Sequence, residues 1–314
     1  MFMHCSDKPI IAQLGFRFWD PVRNVQVSDG LEVTARTVNS GSRIYQAFQT
    51  PSGNYSFRGL PGFHDVEYPS NDPAEPSKRK RTKLIIEVKD LRQNFLPFAF
   101  LFDEEIPLAY QGIYRSGIFD EIYPASPPES WLPVFYLYSA PTRPLVPGMA
   151  AVRCSLKEYA NNKSASHAFI EVAIKGKKWF GMANQDGNAA VYFPYPAVDN
   201  VFYGTSPPLP VSRSLMSQKW QVSVGISYSP DSLAPPGAAS RTESSPAGVD
   251  KKTLPELGSI LRQQRARIWS QDPESTVGAT AVFELNEELI YGQELILRTD
   301  KKSELFLEIA PTSP

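Results

Sequence analysis

Apolar and polar positions alternate along much of this chain, instead of recurring every third or fourth place. Leu31, Val33 and Ala35 interleave with Glu32, Thr34 and Arg36, which predicts a strand with one wet face. Before it, LGFRFW at Leu14–Trp19 predicts a strand closed by a DPVRN turn. After it come RIYQAFQT, a PSG turn, NYSFRGL, a break at Leu60-Pro61-Gly62, the strand LIIEVKD and the intensely apolar FLPFAFLFDEEIP at Phe95–Pro107. Strands of about six residues separated by Gly, Pro and Asn turns predict a sandwich of antiparallel sheets.

A second set of strands follows from WLPVFYLYSAP at Trp131–Pro141, through MAAVRCSLK, HAFIEVAIKGK, KWFGMANQDG and NAAVYFPYP, to the alternating WQVSVGISY at Trp220–Tyr228. The Asn184–Gly187 segment before an apolar strand repeats the logic of PSG before NYSFRGL. Ser229–Lys252 is rich in Pro, Ala, Ser and Gly and reads as a flexible linker. Beyond it, Leu257, Ile260, Leu261, Ile268 and Trp269 fall at roughly helical spacing. TAVFELNEELI and QELILRTDKKSELFLEI predict closing strands that complete the second module's sheet. The expected organisation is an N-terminal sandwich over residues 1–110, an irregular connection over 111–130, a second sandwich over 131–228, a linker over 229–252, and a helix with closing strands over 253–314.

Composition sharpens the fold class. The 29 prolines among 314 residues are roughly twice the usual ~5% share. Proline is expelled from helix interiors and central strands, so short elements and long loops follow. The expectation is an all-β protein of two immunoglobulin- or transthyretin-like β-sandwich modules, with long proline-rich loops and a short C-terminal helix plus strands.

Charge and cysteine usage exclude several classes. A formal net charge of -1 gives no chain-wide grip on nucleic acid. Two cysteines, Cys5 and Cys154, cannot build a disulfide framework or a four-thiolate zinc site. The N-terminus lacks the pattern of a signal peptide, and no run approaches the roughly 18 apolar residues of a membrane span. The expected setting is a reducing cytoplasm.

The run DGLEVTAR…QAFQTPSGNYSFRGLPG resembles the transthyretin-like regulatory domains found beside carboxypeptidases, with Gly53, Tyr55, Phe57, Leu60, Pro61 and Gly62 at the positions of that family's strand-and-turn segment. The likeness covers about residues 14–105 and speaks to fold, not function. The ordered strings FRFWDPV…VSDGLEVTA, GNYSFRGLPG, FLPFAFLFD, LYSAPTRPLVPGMAAVRCSL and AAVYFPYP resemble accessory proteins of phage-tail-like contractile injection systems, over about residues 14–200. That resemblance implies a structural or adaptor subunit near the baseplate or an anchoring region. Its partners would be other particle subunits and copies of itself, and it would meet a membrane only through them. The alternative is a carbohydrate- or surface-binding β-sandwich protein.

Candidate chemistry is sparse, and no catalytic, cofactor-binding or metal-ligating residue is assigned. His4, His64 and His167 are the only histidines and show no H-E-x-x-H spacing, so they read as surface or half-buried side chains. A sandwich holding iron through two tyrosines and two histidines, as intradiol dioxygenases do, needs a Tyr/His cluster that the sequence does not display. Cys154 alternates as a small buried strand residue. Asp103, Glu104 and Glu105 read as solvated carboxylates at a loop, and Gly59 and Gly62 as strand punctuation. The basic run Lys78–Lys83 reads as a solvated loop without interleaved aromatics. The aromatic- and proline-rich LPVFYLYSAPTRPLVP and VYFPYP are, as a set, candidate interface surface.

Overall fold

The computed structural model describes residues 14–38, 43–61, 63, 81–105, 134–197, 218–237, 254–276 and 278–310. The chain is all-β and divides into two compact units. The expected connection over 111–130 lies outside the described residues.

The first unit holds β1 (Leu14–Phe16), β2 (Phe18–Asp20), β3 (Val25–Gln26), β4 (Leu31–Thr37), β5 (Tyr45–Gln46), β6 (Phe48–Gln49), β7 (Tyr55–Phe57), β8 (Arg81–Asp90), β9 (Phe98–Glu105) and β10 (Phe135–Tyr136). They form sheets ordered β1-β7-β6, β10-β2-β3 and β5-β4-β8-β9. The alternation in β4 buries Leu31, Val33 and Ala35. Its core is aromatic: Phe16 meets Phe57, Phe100 and Phe135 edge-on, and Phe100 stacks on Phe135 at 4.5 Å. Edge-to-face pairs of this kind add about 0.5–1.5 kcal/mol each beyond burial.

The second unit holds β11 (Met149–Glu158), β12 (Phe169–Ile174), β13 (Lys177–Met182), β14 (Asn188–Pro194), β15 (Lys219–Ser227), α1 (Leu257–Leu261), β16 (Arg267–Trp269), β17 (Glu284–Ile290), β18 (Leu295–Leu297) and β19 (Leu305–Glu308). One sheet runs β14-β11-β19-β16 with β18 also on β11, and the other runs β13-β12-β15-β17. Val152, Cys154 and Leu156 of the first share a core with Val172, Val222, Val224 and Ile226 of the second. The closing strands thus enter the sheets begun by β11–β15.

Several expectations need correction. Val134–Leu137, expected to open the second module, belong to the first unit, where β10 runs parallel to β2. Arg92–Leu96, expected in the first module, belong to the second unit, where Leu96 N donates to Tyr138 O at 2.8 Å. Backbone pairing partners far away in sequence decide these assignments, and local pattern cannot see them. Part of the expected linker is built in as well: Ala234 O accepts from Glu256 N at 2.8 Å, and the space beside Gly237 is filled by Val38 and Ile85. Residues 238–252 lie outside the described set. The expected helix ends at Leu261. Arg267–Trp269 form a strand, because Ala266 and Ile268 are buried at period two while β19 supplies a ladder.

Two turns share one construction. Thr50 N donates to Asn54 O at 2.8 Å, Gly53 N to Thr50 O at 2.9 Å, and Asn54 N to Thr50 Oγ1 at 3.0 Å. In the second unit Asn184 N donates to Asn188 O at 2.8 Å, Gly187 N to Asn184 O at 3.1 Å, and Asn188 N to Asn184 Oδ1 at 2.9 Å. Both glycines adopt positive φ, 77° and 81°. A side-chain acceptor first and a glycine fourth is what such a turn demands.

Candidate binding face

The residues singled out in the sequence do not converge. His4, Cys5, His64 and Lys78–Lys80 lie outside the described residues. His167 sits half-buried before β12 with φ 60°, its Nδ1 shielded from solvent and without a partner. Burial pushes its pKa down, and its carbonyl accepts from Gln263 Nε2 at 2.7 Å. Cys154 lies in the core, where burial pushes its thiol up to about 12, so it stays a thiol. Among the described residues no three His, Cys, Asp or Glu side chains gather as metal ligands.

The carboxylate run is not in a loop. Asp103, Glu104 and Glu105 continue β9, paired in register with Lys83, Thr82 and Arg81 of β8, and Asp103 meets Lys83 at 2.9 Å. The end of the basic run is therefore strand, laid against the acidic one. The aromatic-proline stretches are mostly core: Val134, Phe135, Tyr136, Leu137, Tyr138, Tyr192 and Phe193 are all buried. Among the described aromatic residues of the two stretches only Tyr195 is half-buried, 4.7 Å from Tyr291. A buried carboxylate, Glu158, accepts from Tyr228 Oη at 2.7 Å. Burial first, then that carboxylate, pushes the Tyr228 phenol far above its ordinary value.

The most distinctive surface is the outer face of the β14-β11-β19-β16 sheet. Inward positions 305 and 307 of β19 are Leu, which leaves Phe306 outward. Register places Trp269 of β16 on one side of Phe306 and Lys157 of β11 on the other. Tyr159, just past β11 and 36% exposed, donates its N–H to Leu307 O at 2.8 Å. Its ring lies 5.4 Å from that of Trp269, tilted 42°, and 6.2 Å from that of Phe306, at 90°. Arg267 covers Phe283, itself 48% exposed, at 5.5 Å. Trp269 Nε1 is shielded and donates to no group.

Ion pairs rim these rings. Lys157 meets Glu304 at 2.9 Å, and Lys302 meets Asp272 at 3.1 Å and Glu274 at 4.0 Å. The Ser303 hydroxyl and Lys157 hold the Glu304 carboxyl below its ordinary value. Burial works to raise the Asp272 carboxyl, but Lys302 and the Glu274 N–H outweigh it and hold it low. Hydrogen bonding to Asp272 in turn raises Lys302. Residues 298–304 form a loop fastened by buried Thr299, whose Oγ1 donates to Trp269 O at 2.6 Å and accepts from Phe306 N at 3.0 Å.

Sequence reasoning passes over this face. The alternation in SELFLEI does set Phe306 outward, but helical spacing absorbs Trp269, and Tyr159 follows its strand without any pattern of its own.

No protein-family model and no curated protein matches the chain. Among solved structures, the shaft pilin SpaA from Lactobacillus rhamnosus GG shares 9% identity over 97% of this chain and 100% of the pilin, with a TM-score of 0.22. A putative adhesin from Bacteroides ovatus ATCC 8483 shares 9% over 100% of both chains, with a TM-score of 0.21. A C-terminal fragment of the pilus adhesin SpaC from L. rhamnosus GG shares 8% over 94% of this chain and 96% of that one, with a TM-score of 0.19. Scores this low do not amount to a shared fold.

Proposed function

We propose that this chain is a non-enzymatic, surface-binding β-sandwich protein whose second unit presents an aromatic face to saccharide. The single observation that carries the reading is the outward cluster of Tyr159, Trp269 and Phe306 on three neighbouring backbone segments, rimmed by fixed ion pairs. Tyr159 meets Phe306 edge-to-face and Trp269 at a tilt, so neither contact is a flat stack. The 36% of Tyr159 that is exposed offers apolar area to the face of a sugar ring, while the rim supplies donors and acceptors for hydroxyls. Among the described residues, the Cys154 thiol is buried and unionised, and burial lowers the pKa of His167, so neither offers a reactive group at this face. Binding of the purified full chain to a glycan array tests the proposal. The expected result is a defined set of glycan spots that weaken about tenfold in the Tyr159→Ala variant, as losing one stacked ring would do. Binding that Tyr159→Ala and Phe306→Ala leave intact would sink it.

The likeness to accessory proteins of contractile injection particles supports a second proposal, a structural subunit binding protein neighbours. It rests on the sequence strings quoted above. Sedimentation of native lysate decides it: the chain should travel in fixed ratio with sheath and tube proteins, and a chain found only in the soluble fraction rules it out.

A further inference from the structure

We infer that the aromatic face takes a neutral pyranose saccharide, and that the loop at residues 298–304 is the element that reads it. This rests on the saccharide reading above and adds the ligand's charge class and the specificity element.

The loop is an insertion into a single strand path. β18 and β19 both run parallel to β11 along the same side of it, β18 opposite Val152–Cys154 and β19 opposite Leu156–Glu158. A continuous strand would need one residue opposite Ser155, yet residues 298–304 stand in that place. Nothing in the sheet requires the excursion. It is nonetheless fixed: Thr299 is anchored to Trp269 and Phe306, Asp300 N donates to Ser270 O at 2.8 Å, and Lys302 is tied to Asp272. A loop held this firmly beside the exposed Tyr159 and the half-buried Trp269 and Phe306, on a rigid sheet, is how binding elements are usually mounted.

Charge decides the ligand class. The face and its loop carry Lys157, Arg267, Arg298, Lys301 and Lys302 against Asp272, Glu274, Asp300, Glu304 and Glu308, five charges of each sign. Lys157 and Lys302 are already engaged by Glu304 and Asp272. At the rings themselves, a sulfated or carboxylated saccharide would have to compete with those two carboxylates for the lysines and bring its own charge beside five acids. A neutral ring leaves every pair intact. Its hydroxyls donate to carboxylate oxygens and accept from lysine ammonium groups already held in place, and its apolar face lies on Tyr159 and Phe306. The same balance argues against a nucleic acid or an anionic lipid surface, which need a cationic excess.

Titration of the unaltered full chain with neutral oligosaccharides (cellohexaose, mannohexaose and xylohexaose) and with heparin and polygalacturonate tests the inference, with the summed fluorescence of its five tryptophans as the readout. The expected result is saturable binding of at least one neutral oligosaccharide. Its affinity should change less than about twofold from roughly 0.05 M to roughly 0.5 M NaCl, since no net charge is neutralised. Lys302→Met should shift the preference among the neutral sugars while Tyr159→Ala weakens all of them alike. A preference for heparin or polygalacturonate that fades with salt overturns the neutral class and leaves the saccharide reading standing. If none of these oligosaccharides binds and the array is blank, both fall. Neutral binding that is indifferent to Lys302→Met and to Asp300→Ala, in variants that melt as the parent does, removes the loop from the proposal.

Discussion

The guanidinium of Arg265 occupies the space over Gly225 where any other residue would carry its Cβ: a carbon built there would stand 1.8 Å from Arg265 Nη1. Gly225 lies opposite Glu171 in the β12–β15 ladder, and Arg265 Nη2 reaches Glu171 Oε2 at 3.1 Å while Lys178 meets the other oxygen at 3.0 Å. The glycine is therefore what lets the arginine cross the strand to its carboxylate. Gly225→Ala should push the arginine off Glu171 and cost no more than about 1 kcal/mol, because the clash is with the end of a flexible side chain and the pair is partly exposed. A urea titration checks this, and a loss of several kcal/mol would show that Arg265 cannot yield.

Gly187 is a harder constraint. Its φ is 81°, and a Cβ there would lie 2.4 Å from Leu156 O, which is backbone. Gly148 has φ 82° with open space around it. Left-handed backbone alone costs a non-glycine residue about 1–2 kcal/mol, and an unyielding clash adds about 1–3 kcal/mol. Gly187→Ala should therefore destabilise by distinctly more than Gly148→Ala in paired thermal melts. Equal losses would mean that the turn relaxes freely.

His167 should make the fold sensitive to acid. Burial lowers the folded-state pKa of its imidazole. The unfolded chain then takes up a proton that the folded chain resists, so the stabilising contribution is whole above roughly pH 6.5 and is lost as pH falls below it. His167→Asn should flatten that part of the stability profile. It should also leave the protein at least as stable at pH 7.5, since φ 60° suits asparagine better than histidine. Denaturation midpoints at several pH values, parent against variant, decide the matter; parallel curves would clear His167 of the effect.

The Tyr228–Glu158 bond predicts a coupled pair. Tyr228→Phe removes a donor from a buried carboxylate and should cost about 1.5–3 kcal/mol, the range for hydrogen bonds to charged groups. Adding Glu158→Gln should recover part of the loss, because a neutral amide tolerates burial better than a carboxylate left with Asn161 Nδ2 as its side-chain donor. Strict additivity in the double-mutant cycle would show that the two side chains do not depend on each other.

Cys154 should resist thiol reagents in the native state, since its thiolate is disfavoured up to about pH 12 and its side chain lies in the core. Labelling is expected only at the rate of unfolding, and fast labelling of Cys154 in the folded chain would contradict that burial.

Reading the sequence located strands well where one face is wet. β4 and β15 show clean period-two patterns, and their buried positions are the ones the alternation names, Leu31, Val33 and Ala35 in one and Trp220, Val222, Val224 and Ile226 in the other. It failed where a segment is apolar on both sides. Val134–Tyr138 has the composition of exposed interface, tyrosines beside prolines, yet all five residues are buried. It also failed at RARIW, where a few apolar residues fit a helical and a strand period equally well, and the ladder to β19 settled the choice.

What the sequence determined by itself is local: which stretches extend, where glycine must take a positive φ, and that the chain would be built of short strands. Those follow from side-chain period, proline chemistry and the backbone freedom of single residues. Tertiary structure alone decided which unit claims residues 92–96 and 134–137, that Gly225 must stay bare for Arg265, and that Tyr159, Trp269 and Phe306 come together as one face. Each of these depends on hydrogen-bonded register between segments tens to more than a hundred residues apart, and register is a property of the paired strands, not of either one read singly.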